Sequence, residues 1–234
     1  MGMDALPAVE QEVTIDAGAA ARLPGQLSIP ERARGVVLFA HGSGSSRHSS
    51  RNRYVADHLR SSGLGTLLFD LLTDREAAAE SATRRLRFDI DLLSERLMAA
   101  TDWLQKVPST WAFEFGYFGA STGAAAALVA AAQRPSRVAA VVSRGGRPDL
   151  AGRWLGHIHL PTLLIVGGKD VEVSRLNQHA YQKLKGPKQL KSIPGATHLF
   201  TEPHALHEMA RLAADWFKAH LARPHARVAH APSA

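Results

Sequence analysis

The chain contains no cysteine, which excludes a disulfide framework, a thiolate metal centre and a thiol nucleophile together. Aromatic residues are scarce, at 6% of 234 residues, and none interleaves with the densest basic cluster, Arg84, Arg85 and Arg87. A nucleic-acid surface needs stacking faces among its cations. The net charge of +7 therefore reads as solvated surface charge, without a nucleic-acid partner. Long apolar runs are also missing: none approaches the roughly 20 residues that span a bilayer. The first residues lack a basic start followed by an apolar stretch, so no secretory signal is read. Leu6 stands where a myristoylation signal wants Ser or Thr. The expectation is a soluble cytoplasmic protein, monomer or homodimer, with no membrane partner.

What is present is the composition of a globular domain able to bury a core, 45% hydrophobic and 21% charged. Short runs at 35–40, 65–69, 113–118, 138–142 and 162–166 are apolar on both faces, as strands inside a parallel sheet should be. Between and after them, helix-period patterns occupy 52–62, 89–105, 122–133, 174–184 and about 203–221. The last of these carries Leu206, Met209, Leu212, Ala213, Trp216 and Phe217 on one face. A more polar run at 189–193 predicts the far edge strand. Residues 12–15 and 26–29 alternate around Asp16-Ala17-Gly18, predicting an antiparallel hairpin at the other edge. Together these predict a doubly wound α/β sheet of about eight strands, mostly parallel, with helices on both faces and right-handed crossovers. It should fill 10–221 as a single domain, with 1–9 and 222–234 as flexible termini.

Sheets of this kind place their chemistry at the carboxyl ends of the strands. Gly119-Ala120-Ser121-Thr122-Gly123 is the one G-x-S-x-G of the chain. It follows a buried strand and opens an alanine-rich helix, the strand–turn–helix setting of a nucleophile elbow. Small flanking residues let strand and helix approach closely, exposing the hydroxyl. The bland alternative is a glycine-bracketed helix start with Ser121 as N-cap.

A serine nucleophile needs a base. Of twelve histidines, His198 is singled out by its place between the last strand and the terminal helix. His204 and His207 lie on that helix and read as surface residues. No carboxylate completes a metal site with them at suitable spacing, so no metal is expected. The acid that orients the base should follow a strand between Ser121 and His198. Asp170, after Gly167-Gly168, fits; Asp149 is the competitor, and helix capping is the other reading of both. Asp70 precedes the nucleophile and reads as structural. The loop His41-Gly42-Ser43-Gly44 would supply a backbone N–H to an oxyanion hole, with Ser43 and Thr122 as donors.

From Val36 to the terminal helix the chain resembles bacterial α/β-hydrolases of the dienelactone-hydrolase-like group, among them hydrolase domains fused to phosphoribosyltransferases. The stretches that carry the resemblance are 41–48, 69–72, 143–149 and 194–200. It implies the α/β-hydrolase fold, the triad Ser121, Asp170 and His198, and esterase-like chemistry without a cofactor. Dienelactone hydrolases use a cysteine nucleophile, however, and here a serine stands in its place, so dienelactone itself is not inherited as substrate.

The expected reaction is acyl transfer from a small-molecule ester through an acyl-enzyme on Ser121, in the manner of a carboxylesterase. Amide or thioester cleavage by the same triad is the near alternative, and a non-catalytic binding module on a hydrolase scaffold is the remote one. Residues 143–160 leave room for only a short helix, so no large lid is expected and short acyl groups should be preferred. Arg144 and Arg147 are candidates to recognise a substrate carboxylate, against ion pairing within their loop. Leu71 and Phe200 are candidate apolar walls, while Phe39 and Phe118 read as core.

Overall fold

The apolar runs pair into one sheet. The computed structural model describes residues 8–18, 21–83 and 85–221; apart from residues 8 and 9, the expected flexible ends at 1–9 and 222–234 lie outside the described residues. β1 (Val9–Asp16) and β2 (Arg22–Ile29) form the antiparallel hairpin at one edge. There follow β3 (Gly35–Ala40), α1 (Ser50–Ser61), β4 (Gly65–Phe69), α2 (Asp74–Thr83) and α3 (Ile90–Leu104). The second half runs β5 (Glu114–Ala120), α4 (Thr122–Gln133), β6 (Val138–Arg144), β7 (Thr162–Gly167), α5 (Val171–Lys183), β8 (Lys188–Ile193) and α6 (Pro203–His220). The eight-stranded sheet has the order β1-β2-β4-β3-β5-β6-β7-β8, parallel from β4 to β8. This is the α/β-hydrolase fold.

Side chains that alternate along each strand build two cores. Val36 and Leu38 join Phe115, Tyr117 and the inner faces of α3 and α4. Val37 and Phe39 join Phe118 and the apolar faces of α1 and α6. The Phe39 and Phe118 rings, 4.9 Å apart, are buried core. Met209, Ala213, Trp216 and Phe217 of α6 are buried against the sheet, with Leu206 and Leu212 half-buried beside them. Among the described residues no helix is long and apolar enough to cross a membrane.

Two elements depart from the expectation. α2 was not anticipated, because its alanine- and glutamate-rich stretch has little apolar periodicity. Its start is nonetheless written in Thr73-x-x-Glu76: the Thr73 N–H donates to Glu76 Oε2 at 2.8 Å and the Glu76 N–H to Thr73 Oγ1 at 3.2 Å, a reciprocal capping box. The short helix expected within 143–160 is 3-10 in character, Pro148–His157, and broken at Gly152, whose φ is 52°.

The sheet order sets the place of the site. From β3 the chain moves to β4 on one side and then returns to β5 on the other. The loops after β3 and β5 therefore diverge, leaving a crevice at the sheet's carboxyl edge.

Candidate active site

Ser121 stands at the tip of β5 in that crevice with φ 51° and ψ −120°, a region an L-residue occupies at a cost of about 1–3 kcal/mol. Neighbouring backbone holds it there. Its N–H donates to Arg144 O at 3.2 Å, and its carbonyl accepts from Ala124 N and Arg147 N, each at 3.1 Å. The flanking glycines are required by contact. A Cβ on Gly119 would lie 2.4 Å from Ala124 Cα, and one on Gly123 would lie 2.1 Å from Ala40 O. Ser121 begins α4 yet its side chain makes no capping hydrogen bond, so the strain is not explained by helix capping.

His198 follows β8. Its Nδ1 donates to Asp170 Oδ2 at 2.6 Å, which leaves Nε2 with the lone pair. Asp170 turns inward directly after β7, and its other oxygen accepts from Val173 N at 3.4 Å as the N-cap of α5. The imidazole comes beside the elbow: a Cβ on Gly145 would lie 3.7 Å from His198 Cε1, and Gly145 adjoins the Arg144 carbonyl that binds Ser121 N–H. Asp149 does not meet His198. Its two oxygens accept from Arg147 Nε and Nη2 at 2.9 and 2.8 Å, so Arg147 is occupied by an ion pair within its own loop. Asp70 binds the Arg47 guanidinium and accepts from Arg47 N at 2.7 Å, fixing the loop after β3. His204 and His207 are exposed on α6. Among the described residues no group of three or more His, Asp or Glu side chains is placed to hold a metal ion.

The loop after β3 is tied down from both sides. The Ser43 N–H donates to Thr122 Oγ1 at 2.9 Å, which joins this loop to the elbow. Thr122 is the first residue of α4, so its own N–H has no acceptor within the helix. On the other side, His41 Nε2 accepts from Leu71 N at 3.1 Å and Nδ1 donates to Gly42 O at 3.0 Å. Burial pushes the His41 imidazole below its ordinary pKa, against the raising effects of the Gly42 carbonyl and Asp70. The neutral form is the one that can accept from Leu71.

A cavity of about 120 Å³ opens beside this loop, lined among others by Ser43, Leu71, Leu72, Glu80, Arg87 and Thr122. Leu71 and Phe200 are both fully buried, and of the two only Leu71 lines this cavity. Glu80 is buried and accepts from Arg87 Nε at 2.6 Å and Leu86 N at 2.8 Å. Arg87 is consequently part of the cavity wall and not merely solvated, as its cluster suggested. The sequence signal for the pair is weak, since a seven-residue spacing with an intervening helix end marks no regular contact.

Comparison with known proteins agrees with this fold. The model of the dienelactone hydrolase family matches residues 23–221. A curated protein of Mycobacterium tuberculosis, provisionally named a phosphoribosyl transferase, is 56% identical over 218 residues, covering 93% of this chain and 48% of the relative. The chain thus spans about half the length of the curated relatives it matches. A crystal structure of dienelactone hydrolase from Anabaena variabilis has a TM-score of 0.89 at 56% identity, over 92% of this chain and 99% of that one. The esterase domain of a Rhodothermus marinus protein shares the fold at 20% identity, with a TM-score of 0.70 over 91% and 99% of the two chains. A strained serine after β5, a paired histidine after β8 and a family match across nearly all of the sheet lead to one assignment: the chain belongs to the dienelactone hydrolase family.

Proposed function

We propose that this member of a hydrolase family is a serine esterase of small-molecule esters, with Ser121 as nucleophile, His198 as base and Asp170 as the acid that orients it. The observation that carries the reading is the elbow: Ser121 is held at positive φ by three backbone hydrogen bonds and makes no cap. Strain maintained without a structural return is expected at a reacting residue.

In the first step Ser121 Oγ attacks the ester carbonyl while its proton passes to His198 Nε2. Asp170, at 2.6 Å from Nδ1, keeps that nitrogen protonated and stabilises the imidazolium as it forms. The carbonyl oxygen becomes an oxyanion and is met by the N–H groups of Thr122 and Ser43. Since Ser43 N–H donates to Thr122 Oγ1 at 2.9 Å in the free protein, the oxyanion must share or replace that bond. Collapse of the tetrahedral intermediate expels the alcohol, which takes the proton from Nε2. Water then attacks the acyl-enzyme, gives its proton to Nε2, and the acid leaves with Ser121 restored. The chemistry needs no cofactor. The 120 Å³ cavity beside Ser43 and Leu71 fits an acyl chain of a few carbons.

Treatment with a fluorophosphonate, followed by mass spectrometry, tests the assignment. The adduct is expected on Ser121 and absent from Ser121→Ala; an adduct on another residue would overturn it.

A further inference from the structure

Thr122 brings two donors to the crevice. One is its N–H, which begins α4 and has no acceptor within the helix. The other is its hydroxyl. Oγ1 accepts the Ser43 N–H at 2.9 Å, and a hydroxyl that accepts still has a hydrogen of its own to give. A threonine inside a helix can give that hydrogen to the carbonyl four residues back, as Thr101 does to Leu97 O. Thr122 is the first residue of α4, so no such carbonyl precedes it in the helix. Among the described residues its hydroxyl donates to no acceptor, although the residue is only 2% exposed. The other buried threonines supply the contrast. Thr110 and Thr162 donate to backbone carbonyls, while Thr66 accepts from Arg60 at the start of β4, away from the carboxyl ends of the strands.

The hydroxyl stands where the loop after β3 meets the nucleophile. A Cβ on Gly42 would lie 3.1 Å from both Ser121 Cβ and Ala120 O, so this loop runs directly against the elbow, and Ser43 follows. Only Cα and Cβ separate Thr122 N from Oγ1, which brings an oxygen bonded to the N–H within reach of the hydroxyl. Ser43 and Thr122 both line the cavity of about 120 Å³, the space open to an ester carbonyl.

We propose that the Thr122 hydroxyl is itself a catalytic donor to the oxyanion, polarised by the Ser43 N–H behind it. Accepting the Ser43 bond makes the hydroxyl a better donor. The same bond fixes the group in advance, so little has to reorganise as charge develops. No proton is transferred: the hydroxyl keeps its hydrogen and meets the oxyanion by a hydrogen bond, beside the two N–H groups. This role rests on Ser121 being the nucleophile. It has the opposite sign to a hydroxyl that merely occupies the Ser43 N–H and must be displaced, since removing an obstacle would raise the rate.

Thr122→Val keeps the shape of the side chain without the hydroxyl, and Thr122→Ser keeps the hydroxyl. On 4-nitrophenyl butyrate Thr122→Val should lower kcat about a hundredfold or more, the usual loss for one oxyanion donor, with KM changed less than about threefold. Thr122→Ser should stay within about tenfold of the wild type. If Thr122→Val fails to fold, Thr122→Ala carries the same test. Binding of 1-butaneboronic acid, followed by calorimetry, gives a second readout. Ser121 Oγ bonds to the boron, its proton passes to His198, and the tetrahedral anion carries an oxygen in the place of the oxyanion. Affinity for it should fall about tenfold or more in Thr122→Val and hold in Thr122→Ser. An equal or higher kcat in Thr122→Val, a loss confined to KM, a loss as large in Thr122→Ser, or an unchanged boronate affinity overturns the donor. Failure of the nucleophile reading looks different, because Ser121→Ala then keeps its turnover or its boronate binding, and the donor falls with it. If the wild type hydrolyses no ester, the boronate affinities decide, and a wild type that binds no boronate overturns both.

Discussion

Replacing Asp170 with asparagine separates the two jobs this side chain has. One carboxylate oxygen accepts from His198 Nδ1 at 2.6 Å, and the other caps α5 through Val173 N at 3.4 Å. Asparagine caps a helix about as well as aspartate, so the cap survives and stability should change by less than about 1 kcal/mol. The other contact does not survive. An amide NH₂ facing Nδ1 forces that nitrogen to accept, moves the ring proton to Nε2 and presents the wrong tautomer to Ser121. Turned over, the amide oxygen can still accept from Nδ1, but it has no charge to stabilise an imidazolium. Asp170 is only 14% exposed in its side chain, so little solvent screening replaces what is lost. In the best-studied serine protease the corresponding change lowers turnover about ten-thousand-fold. We expect a fall in kcat of about a hundred- to ten-thousand-fold, equivalent to about 3–5 kcal/mol of transition-state stabilisation. Asp149→Asn instead loses a partly exposed pair with Arg147, worth about 0–1 kcal/mol of stability, and activity should change by less than about tenfold. Both are measured with 4-nitrophenyl butyrate after circular dichroism and melting have shown the variants folded. If Asp170→Asn keeps activity within tenfold while Asp149→Asn is crippled, the reasoning fails.

The strain at Ser121 predicts that Ser121→Gly is inactive yet melts higher. Relief of about 1–3 kcal/mol, less about 0.5–1 kcal/mol for the added chain entropy of glycine, corresponds to a gain of a few degrees; an unchanged or lower melting temperature would show the backbone is not strained. Gly123→Ala should do the opposite, since its Cβ would sit 2.1 Å from Ala40 O and 2.5 Å from His41 O, and both are backbone atoms; a loss of more than about 3 kcal/mol, read by urea unfolding, is expected. His41 titrates below its ordinary pKa because it is buried, so between the unfolded pKa near 6.5 and the folded one the unfolded chain binds the extra proton. Its contribution to stability is complete above about pH 6.5 and is lost as pH falls below that, at up to about 1.4 kcal/mol per pH unit. Stability curves from pH 7.5 to 4.5 should therefore fall more steeply for the wild type than for His41→Gln, and parallel curves would refute it. Finally, the cavity of about 120 Å³ predicts that rates on 4-nitrophenyl esters fall from butyrate to palmitate, whereas a maximum at long chains would refute a short acyl pocket.

Much of this molecule is legible in the sequence alone. Strand and helix order follow from local periodicity, and the edge strands announce themselves, β8 by its polar alternate positions and β1 by its hairpin partner. The elbow is local too. Gly119 and Gly123 are demanded by contacts made within the strand–turn–helix and with the end of β3, so the pentapeptide carries its own geometry. α2 has little apolar periodicity to mark it, although its capping box stands in the sequence.

Other features depended on distance in space between residues far apart in the chain. Asp149 and Asp170 both follow strands, both suit a helix start, and sequence alone could only rank them. The short span from Arg147 to Asp149 closes an ion pair, whereas the parallel register of β7 and β8 brings the Asp170 turn against the loop that carries His198. Arg144 and Arg147 looked equivalent as cations near one strand end. The pleat and the turn at Gly145 send one to the Asn52 amide and the Phe200 ring and the other to a carboxylate two residues on. Backbone preference acts over a few residues and can be read along the chain. Which charge meets a carboxylate, and which a neutral amide or a ring face, is set by sheet register and crossover path, and those emerge only when the whole sheet is assembled.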